Sequence, residues 1–163
     1  MQLPALDRMD SRILKVLAEE GRISWRELAG RIGLSLTPTL RRVRRLEAEG
    51  VIAGYSVRLD EQRLGTSITM YVQVRLEQQT EEALKVFERH IADAPEVMSC
   101  YLMTGEADYI LRVVVADLES YQRFMLEVLT RIPGVSHIQS SLAIKPVFRR
   151  AAPPIPTAPR HTS

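Results

Sequence analysis

Apolar side chains recur every three or four positions through the first fifty residues, and this period predicts three short helices. Asp7 can cap the first helix, which is expected to end before Gly21, and the three-helix unit closes at Gly50. The inward stripes are Met9, Ile13, Leu14 and Leu17 on the first helix, Trp25, Leu28, Ala29 and Ile32 on the second, and Leu40, Val43 and Leu46 on the third.

Capping signals place the second and third helices close together. Ser24 can cap the second helix, with Glu27 completing a capping box, and Gly33 suits a left-handed exit. Thr37 and Pro38 are expected to be the N-cap and the first residue of the third helix, because a proline loses nothing where the amide has no partner. Two helices joined by so short a turn predict a helix-turn-helix.

The period changes after Gly50. A β-leaning connector at 51–66 alternates from Tyr55 onward. The order strand, helix, strand, strand, helix, strand then predicts a ferredoxin-like βαββαβ domain, and the fold class is α+β. Strands are expected at 67–76, 97–104, 108–115 and 135–147, and helices at 80–93 and 117–131. The predicted domains are 1–50 and 67–148, with the connector at 51–66 between them and a proline-rich tail at 149–163, for which a solvated, mobile end is favoured.

Several strand positions are apolar on both sides, which favours self-association. These positions are Ile110, Leu111, Val113, Val114 and Val115. Two helices can cover one face of a four-stranded sheet and leave the other face open, so we expect that face to pack on a partner sheet. The sequence therefore predicts a homodimer.

The composition is that of a globular protein without cofactor chemistry. The 163 residues are 45% hydrophobic and 26% charged, and no apolar run has the length of a membrane span. Cys100 is the single cysteine, and the three histidines are too scattered for metal-ligand spacing. We expect a cytoplasmic protein with no cofactor, no metal site and no membrane partner.

Positive charge is concentrated around the third helix. Residues 22–50 contain seven arginines and three glutamates, a net charge of +4, whereas residues 63–148 contain eight basic and eleven acidic residues, a net charge of −3. Arg41 and Arg45 lie opposite the apolar stripe of the helix. A solvated arginine face on an ordinary helical hairpin is the alternative, but the separation of charge favours binding to double-stranded DNA.

Five motifs, in this order, resemble the leucine-responsive/asparagine-regulator (Lrp/AsnC) family of transcription factors. They are LDRMDSRIL at 6–14, GRISWRELAGRIGLS at 21–35, TPTLRRVRRLEAEGVIAGYSVRLD at 37–60, TGEADYIL at 104–111 and IPGVSHIQS at 132–140. The resemblance implies an N-terminal helix-turn-helix and a C-terminal ferredoxin-like domain that oligomerises and senses small molecules, usually amino acids. We expect a homodimer, within a ring of four dimers, and its two-fold symmetry then predicts a pseudo-palindromic operator.

The resemblance implies DNA contacts from the turn and the third helix, namely from Ser35, Thr37, Thr39, Arg41, Arg42 and Arg45. Arg41 or Arg45 could bind guanine bidentately in the major groove, while Ser35 and Thr37 could hold phosphate. The helical wheel places Thr39 nearer the core. For Arg42 and Arg44, a phosphate or an intramolecular carboxylate, Glu47 or Glu49, is as good a partner as a base.

The resemblance also implies an effector site where dimers meet, formed by Tyr101, Thr104, Gly105, Glu106, Asp108, Leu118, Ser140, Ser141 and Leu142. Amides of the glycine turn can bind the carboxylate of a free amino acid, and Asp108 can bind its ammonium group. The remaining positions are mostly apolar or small, which favours leucine, methionine or a similar uncharged side chain. The alternative is that Gly105 and Asp108 serve only the turn.

Two other functions are considered. An architectural protein that wraps DNA with little effector control would share these motifs. Siroheme decarboxylases resemble the same two-part architecture, but His137 is the only histidine in the predicted strands and the arginine-rich helix is intact, so we expect a regulator and not an enzyme.

Overall fold

The computed structural model describes residues 6–156 and divides the chain into two compact units. One unit contains the residues up to Arg58 together with those from Phe148 onward, and the other contains Leu59–Val147. None of the helices in the described part of the chain is long and apolar enough to cross a membrane.

The first unit contains the three predicted helices, α1 (Arg8–Glu19), α2 (Trp25–Ile32) and α3 (Leu36–Ala48). Asp7 caps α1 and forms a reciprocal capping box with Asp10. The helices enclose a small core of Ile13, Ile23, Leu28, Ile32, Val43 and Leu46. The predicted helix-turn-helix is confirmed.

Most of the predicted helix ends are confirmed. The Ser24 hydroxyl accepts the Glu27 amide at 3.2 Å, and Gly33 ends α2 in the left-handed conformation at φ 75°. The predicted start of α3 was wrong, because Ser35 is the N-cap and the helix begins at Leu36. Pro38 therefore occupies the third helical position, which is still within the first turn, where amides have no helical partner.

The connector differs from its predicted β character. Described residues 51–66 contain no strand, since alternation orders side chains but a strand also needs a neighbouring strand to pair with. In the described part of the tail, most residues are exposed, and the carbonyl of Pro156 accepts a hydrogen bond from the Ser11 hydroxyl of α1 at 2.7 Å. The rest of the predicted tail, 157–163, lies outside the described residues.

The second unit has the predicted βαββαβ order. Its elements are β1 (Ile68–Leu76), α4 (Glu81–Ala92), β2 (Val97–Leu102), β3 (Tyr109–Val115), α5 (Leu118–Glu127), a single 3₁₀ turn (Leu129–Arg131) and β4 (Val135–Leu142). The antiparallel sheet has the order β2-β3-β1-β4, which confirms the ferredoxin-like plan. Strand β4 ends earlier than predicted because Leu142 pairs with Met70, close to the start of its neighbour β1.

One face of the sheet is buried under the helices. Its core includes Val72, Val74, Leu111 and Val113, and the ring of Phe87 on α4 packs on that of Tyr109 at 4.4 Å. The other face is less uniformly apolar than expected. There Arg112 of β3 forms an ion pair at 2.6 Å with Glu61, which lies in the segment before β1. The end of this face beside the β2–β3 hairpin is polar, with the side chains of Gln73, Arg75, His137 and Gln139.

Candidate DNA-reading helix and effector site

The exposed side of α3 carries part of the predicted DNA-binding set. Ser35, Thr37 and Arg41 are exposed, and Arg44 joins Thr37 and Arg41 on the same side at helical spacing. Neither Arg41 nor Arg44 forms an ion pair within the described part of the chain. Of the partners that the sequence leaves open for Arg44, the internal carboxylates Glu47 and Glu49 do not contact it.

Thr39 does not belong to this surface, so its assignment to DNA contact is corrected. Its side chain is fully buried, and its hydroxyl donates to the Ser35 carbonyl at 2.9 Å. A β-branched residue one turn into the helix can satisfy its hydroxyl in this way when it faces the core. The helical wheel had already placed it on that side.

Arg42 and Arg45 are engaged inside the unit. Arg42 contacts Asp7 at 2.5 Å and Asp10 at 2.8 Å, and Arg45 contacts Asp10 at 2.5 Å. Arg45 also lies 3.8 Å from Glu49. The predicted free arginine at position 45 is therefore tied to α1, a long-range contact that no local pattern in α3 reveals.

Two pKa shifts reflect this cluster. Burial by itself would raise the pKa of Asp7, but hydrogen bonds from the Asp10 amide and from Arg42 lower it below its ordinary value. The pKa of Arg42 is raised, chiefly by its hydrogen bond to Asp7 and also by Asp10. The contact between Asp7 and Arg42 therefore stabilises the charged form of both side chains.

The predicted hairpin forms between β2 and β3. Gly105 has φ 124°, a conformation that side chains disfavour, so a glycine is needed there. The Asp108 carboxylate accepts the Leu76 amide at 2.7 Å, and the Asp108 amide donates to the Val74 carbonyl at 2.9 Å. Asp108 thus has a structural role at the end of β1, where the pairing of β1 with β4 shifts register.

The other predicted effector residues lie toward the opposite end of the sheet. Leu142 pairs with Met70, six residues from Leu76 along β1, which is about 20 Å at the rise of a strand. Leu118 begins α5 just after β3, whose last residue pairs with Ile68. The hairpin half of the site is Thr104, Gly105, Glu106 and Asp108, and the strand half is Leu118, Ser140, Ser141 and Leu142.

One protomer does not bring these two halves together. Tyr101 lies between them on β2 and is 62% exposed. In the strand half, the Ser140 hydroxyl lies 2.5 Å from the Tyr121 hydroxyl, while Leu118 and Leu142 are exposed. A single small-molecule site that includes both Asp108 and Leu142 would need the hairpin of one copy and the strand end of another.

A polar cavity of about 300 Å³ lies beside the hairpin. It is lined by Gln73, Val74, Arg75, Glu106, Ala107, Ser136, His137 and Gln139. Arg75 donates from Nε to the Glu106 carbonyl at 2.7 Å, which fixes the turn against β1. The sequence did not identify Arg75, because its closeness to Glu106 follows from the sheet order.

Comparison with known families matches both units. Residues 6–53 match a winged helix-turn-helix DNA-binding family, and residues 69–153 match the Lrp/AsnC ligand-binding domain. The chain is 59% identical over 150 residues to the Bkd operon transcriptional regulator of Pseudomonas aeruginosa, covering 92% of this chain and 98% of that protein. It is 37% identical over 142 residues to the leucine-responsive regulatory protein of Escherichia coli K12, covering 87% of each.

Solved structures show the same architecture. A transcriptional regulator from Neisseria meningitidis, crystallised as an L-Met complex, superposes with a TM-score of 0.88 at 33% identity and covers 91% of this chain and 96% of its own. An AsnC family regulator from Agrobacterium tumefaciens gives a TM-score of 0.87 at 34% identity, covering 91% and 97%.

Proposed function

Because the chain belongs to the Lrp/AsnC family of transcriptional regulators, we propose that it binds a pseudo-palindromic DNA site through α3 and that an amino acid adjusts this binding. The observation that carries the DNA half is the exposed row of Thr37, Arg41 and Arg44 on one side of the reading helix. Arg41 would read guanine in the major groove, while Arg44 and the helix N-terminus would contact phosphate.

Replacement of Arg41 by alanine tests this role. Binding to a site selected from random duplexes should weaken by about 1–3 kcal/mol, and binding to unselected duplex should weaken much less. Fluorescence anisotropy at fixed salt measures both affinities. Arg12→Ala is the matched control, because Arg12 is also an exposed arginine of the same unit but lies on α1. Equal losses of affinity for both duplexes would show that Arg41 contacts only phosphate.

We propose further that Asp108 binds the ammonium group of the effector and that amides around Gly105 bind its carboxylate. The position of the carboxylate beside a positive-φ turn supports this role, as does the L-Met complex of the Neisseria relative. The expected effector is leucine, methionine or a similar uncharged amino acid, because a charged side chain would be left unpaired beside Leu118 and Leu142.

Asp108→Asn tests the ammonium contact without removing the structural bond. The asparagine oxygen can still accept the Leu76 amide, whereas the charge is lost. Titration calorimetry with leucine and methionine should show an affinity loss of at least tenfold, since charge-assisted hydrogen bonds contribute roughly 1.5–3 kcal/mol. Asp93→Asn, an exposed aspartate at the end of α4, is the control. Parent-like affinity in Asp108→Asn would assign the aspartate to the turn alone.

The proposed assembly is a homodimer within a ring of four dimers. Large apolar side chains exposed in one protomer support burial by other copies, among them Tyr55, Val57, Leu59, Leu118, Leu142, Ile144 and Val147. Light scattering should return at least a dimer mass at micromolar concentration, and a monomer mass would refute the assembly. Since both curated relatives described above are named regulators, we propose binding and not catalysis as the role of this chain.

A further inference from the structure

Asp10 is fully buried where α1 meets α3. Its side chain has 0% exposure, and its two carboxylate oxygens contact Arg42 and Arg45 at 2.8 and 2.5 Å. The Asp7 amide also donates to this carboxylate, at 3.0 Å. An unpaired carboxylate in such a place is strongly disfavoured, so the contacts hold both arginines toward α1.

We infer that Asp10 is a positioning residue for DNA reading, which divides the four arginines of α3 into two that are held and two that are free. Arg42 and Arg45 are held against α1, whereas Arg41 and Arg44 are exposed and unpaired among the described residues. This inference rests on the proposed function, because it concerns how the same helix selects its DNA.

The number of free arginines matters because phosphate contacts add affinity without adding sequence information. Four free arginines on one helix would tighten binding to any duplex and make that binding depend more steeply on salt. By holding two of them, Asp10 limits the affinity for random duplex, while Arg41 remains able to contact the edge of a base.

The other carboxylates near these arginines each reach only one of them. Asp7, whose side chain is half exposed, contacts Arg42 and shares its anchoring with Asp10. Glu49 is 41% exposed and lies 3.8 Å from Arg45. An exposed pair of that length contributes little and is screened by salt, so Asp10 is the one carboxylate that holds both arginines and the main anchor of Arg45.

Asp10→Asn should release Arg45 and leave Arg42 with Asp7 as its remaining partner, and the salt dependence of binding to random duplex measures the release. The slope of log K against log salt should steepen by about 0.9 for each arginine that gains a phosphate contact. Glu49→Gln is the matched control, because it removes the same charge from an exposed position and should keep a slope close to that of the parent.

A second set of variants does not depend on the stability of Asp10→Asn. In the parent background, Arg44→Gln should reduce the slope by about 0.9, whereas Arg42→Gln and Arg45→Gln should change it little. Equal reductions in all three variants would overturn the division of the arginines. A folded Asp10→Asn with the parent slope would overturn it as well. A parent chain that binds no duplex would overturn the proposed function itself, and the two failures are therefore distinguishable.

Discussion

The helix-turn-helix unit and the sheet unit differ in how much of a predicted site one chain supplies. Thr37, Arg41 and Arg44 share one side of a single helix, so the DNA-reading surface is present in one protomer. The predicted effector residues instead spread along β1, from Asp108 at Leu76 to Leu142 at Met70, about 20 Å away. A helix brings residues three or four apart together by itself, whereas residues on different strands meet only through sheet order and neighbouring copies.

Two aspartates show the same difference. Asp10 is fully buried and reaches two arginines within its own unit. Asp108 is partly buried and accepts one backbone amide, that of Leu76. The first carboxylate therefore has its partners inside the protomer, while the second is the one we propose to meet a ligand.

The largest expected effect is a loss of stability that is greater in the sheet unit than in the helix-turn-helix unit. Phe87→Ala removes a fully buried ring that packs on Tyr109, and it should lower the free energy of unfolding by about 3–5 kcal/mol. Urea unfolding followed by circular dichroism should show this loss. Trp25, the only tryptophan, lies in the other unit, so the urea midpoint followed by its fluorescence should move less than the midpoint from circular dichroism. Coincident shifts of both probes would show that the units unfold together.

Subunit mixing tests whether the effector site is shared between copies. Asp108→Asn damages the hairpin half, and Ser141→Trp would block the strand half. If each site takes its halves from different copies, random mixing should restore about a quarter of the sites. Calorimetry on the mixture after refolding measures the recovery, and each variant alone is the control. No recovery in mixed oligomers of confirmed composition would place the whole site within one chain.

Acid should weaken the helix-turn-helix unit through Asp7. Because its pKa is lower in the folded chain than in the unfolded chain, its contribution is present above about pH 4 and is lost as the pH falls through the folded value. Asp7→Asn keeps a capping side chain but cannot titrate, so its stability should fall less steeply below pH 4. Urea midpoints from Trp25 fluorescence, measured for the parent and for Asp7→Asn at several pH values, give the comparison. An equal fall of both midpoints below pH 4 would contradict the prediction.

The smallest expected effect is at Cys100, whose side chain packs against the sheet core. Burial, aided by the charge of Glu88, raises the pKa of its thiol to about 11. Since the thiolate is the reactive form, iodoacetamide at pH 8 should alkylate the folded chain far more slowly than the urea-unfolded chain. Mass spectrometry over time measures both rates, and equal rates would show that this edge of the sheet is open.

Features that depend on local spacing follow from the sequence alone. They include the three helices, the Asp7 and Ser24 caps, the Gly33 exit and the order of the βαββαβ elements, which all depend on neighbours within a few residues. Each of these requires only a period of hydrophobic residues or one side chain near an unpaired amide, and such signals survive without knowledge of distant contacts.

Contacts between residues far apart in the chain arise only when the helices and strands pack together. The engagement of Arg42 and Arg45 by Asp10 spans more than thirty positions, and the exposed side of a helical wheel gives no sign of it. The split of the effector residues depends on which residue of β1 faces Leu142, and strand alternation leaves that register open. Periodicity assigns each side chain to a face, but the packing of α1 on α3 and the pairing of the strands determine what that face meets.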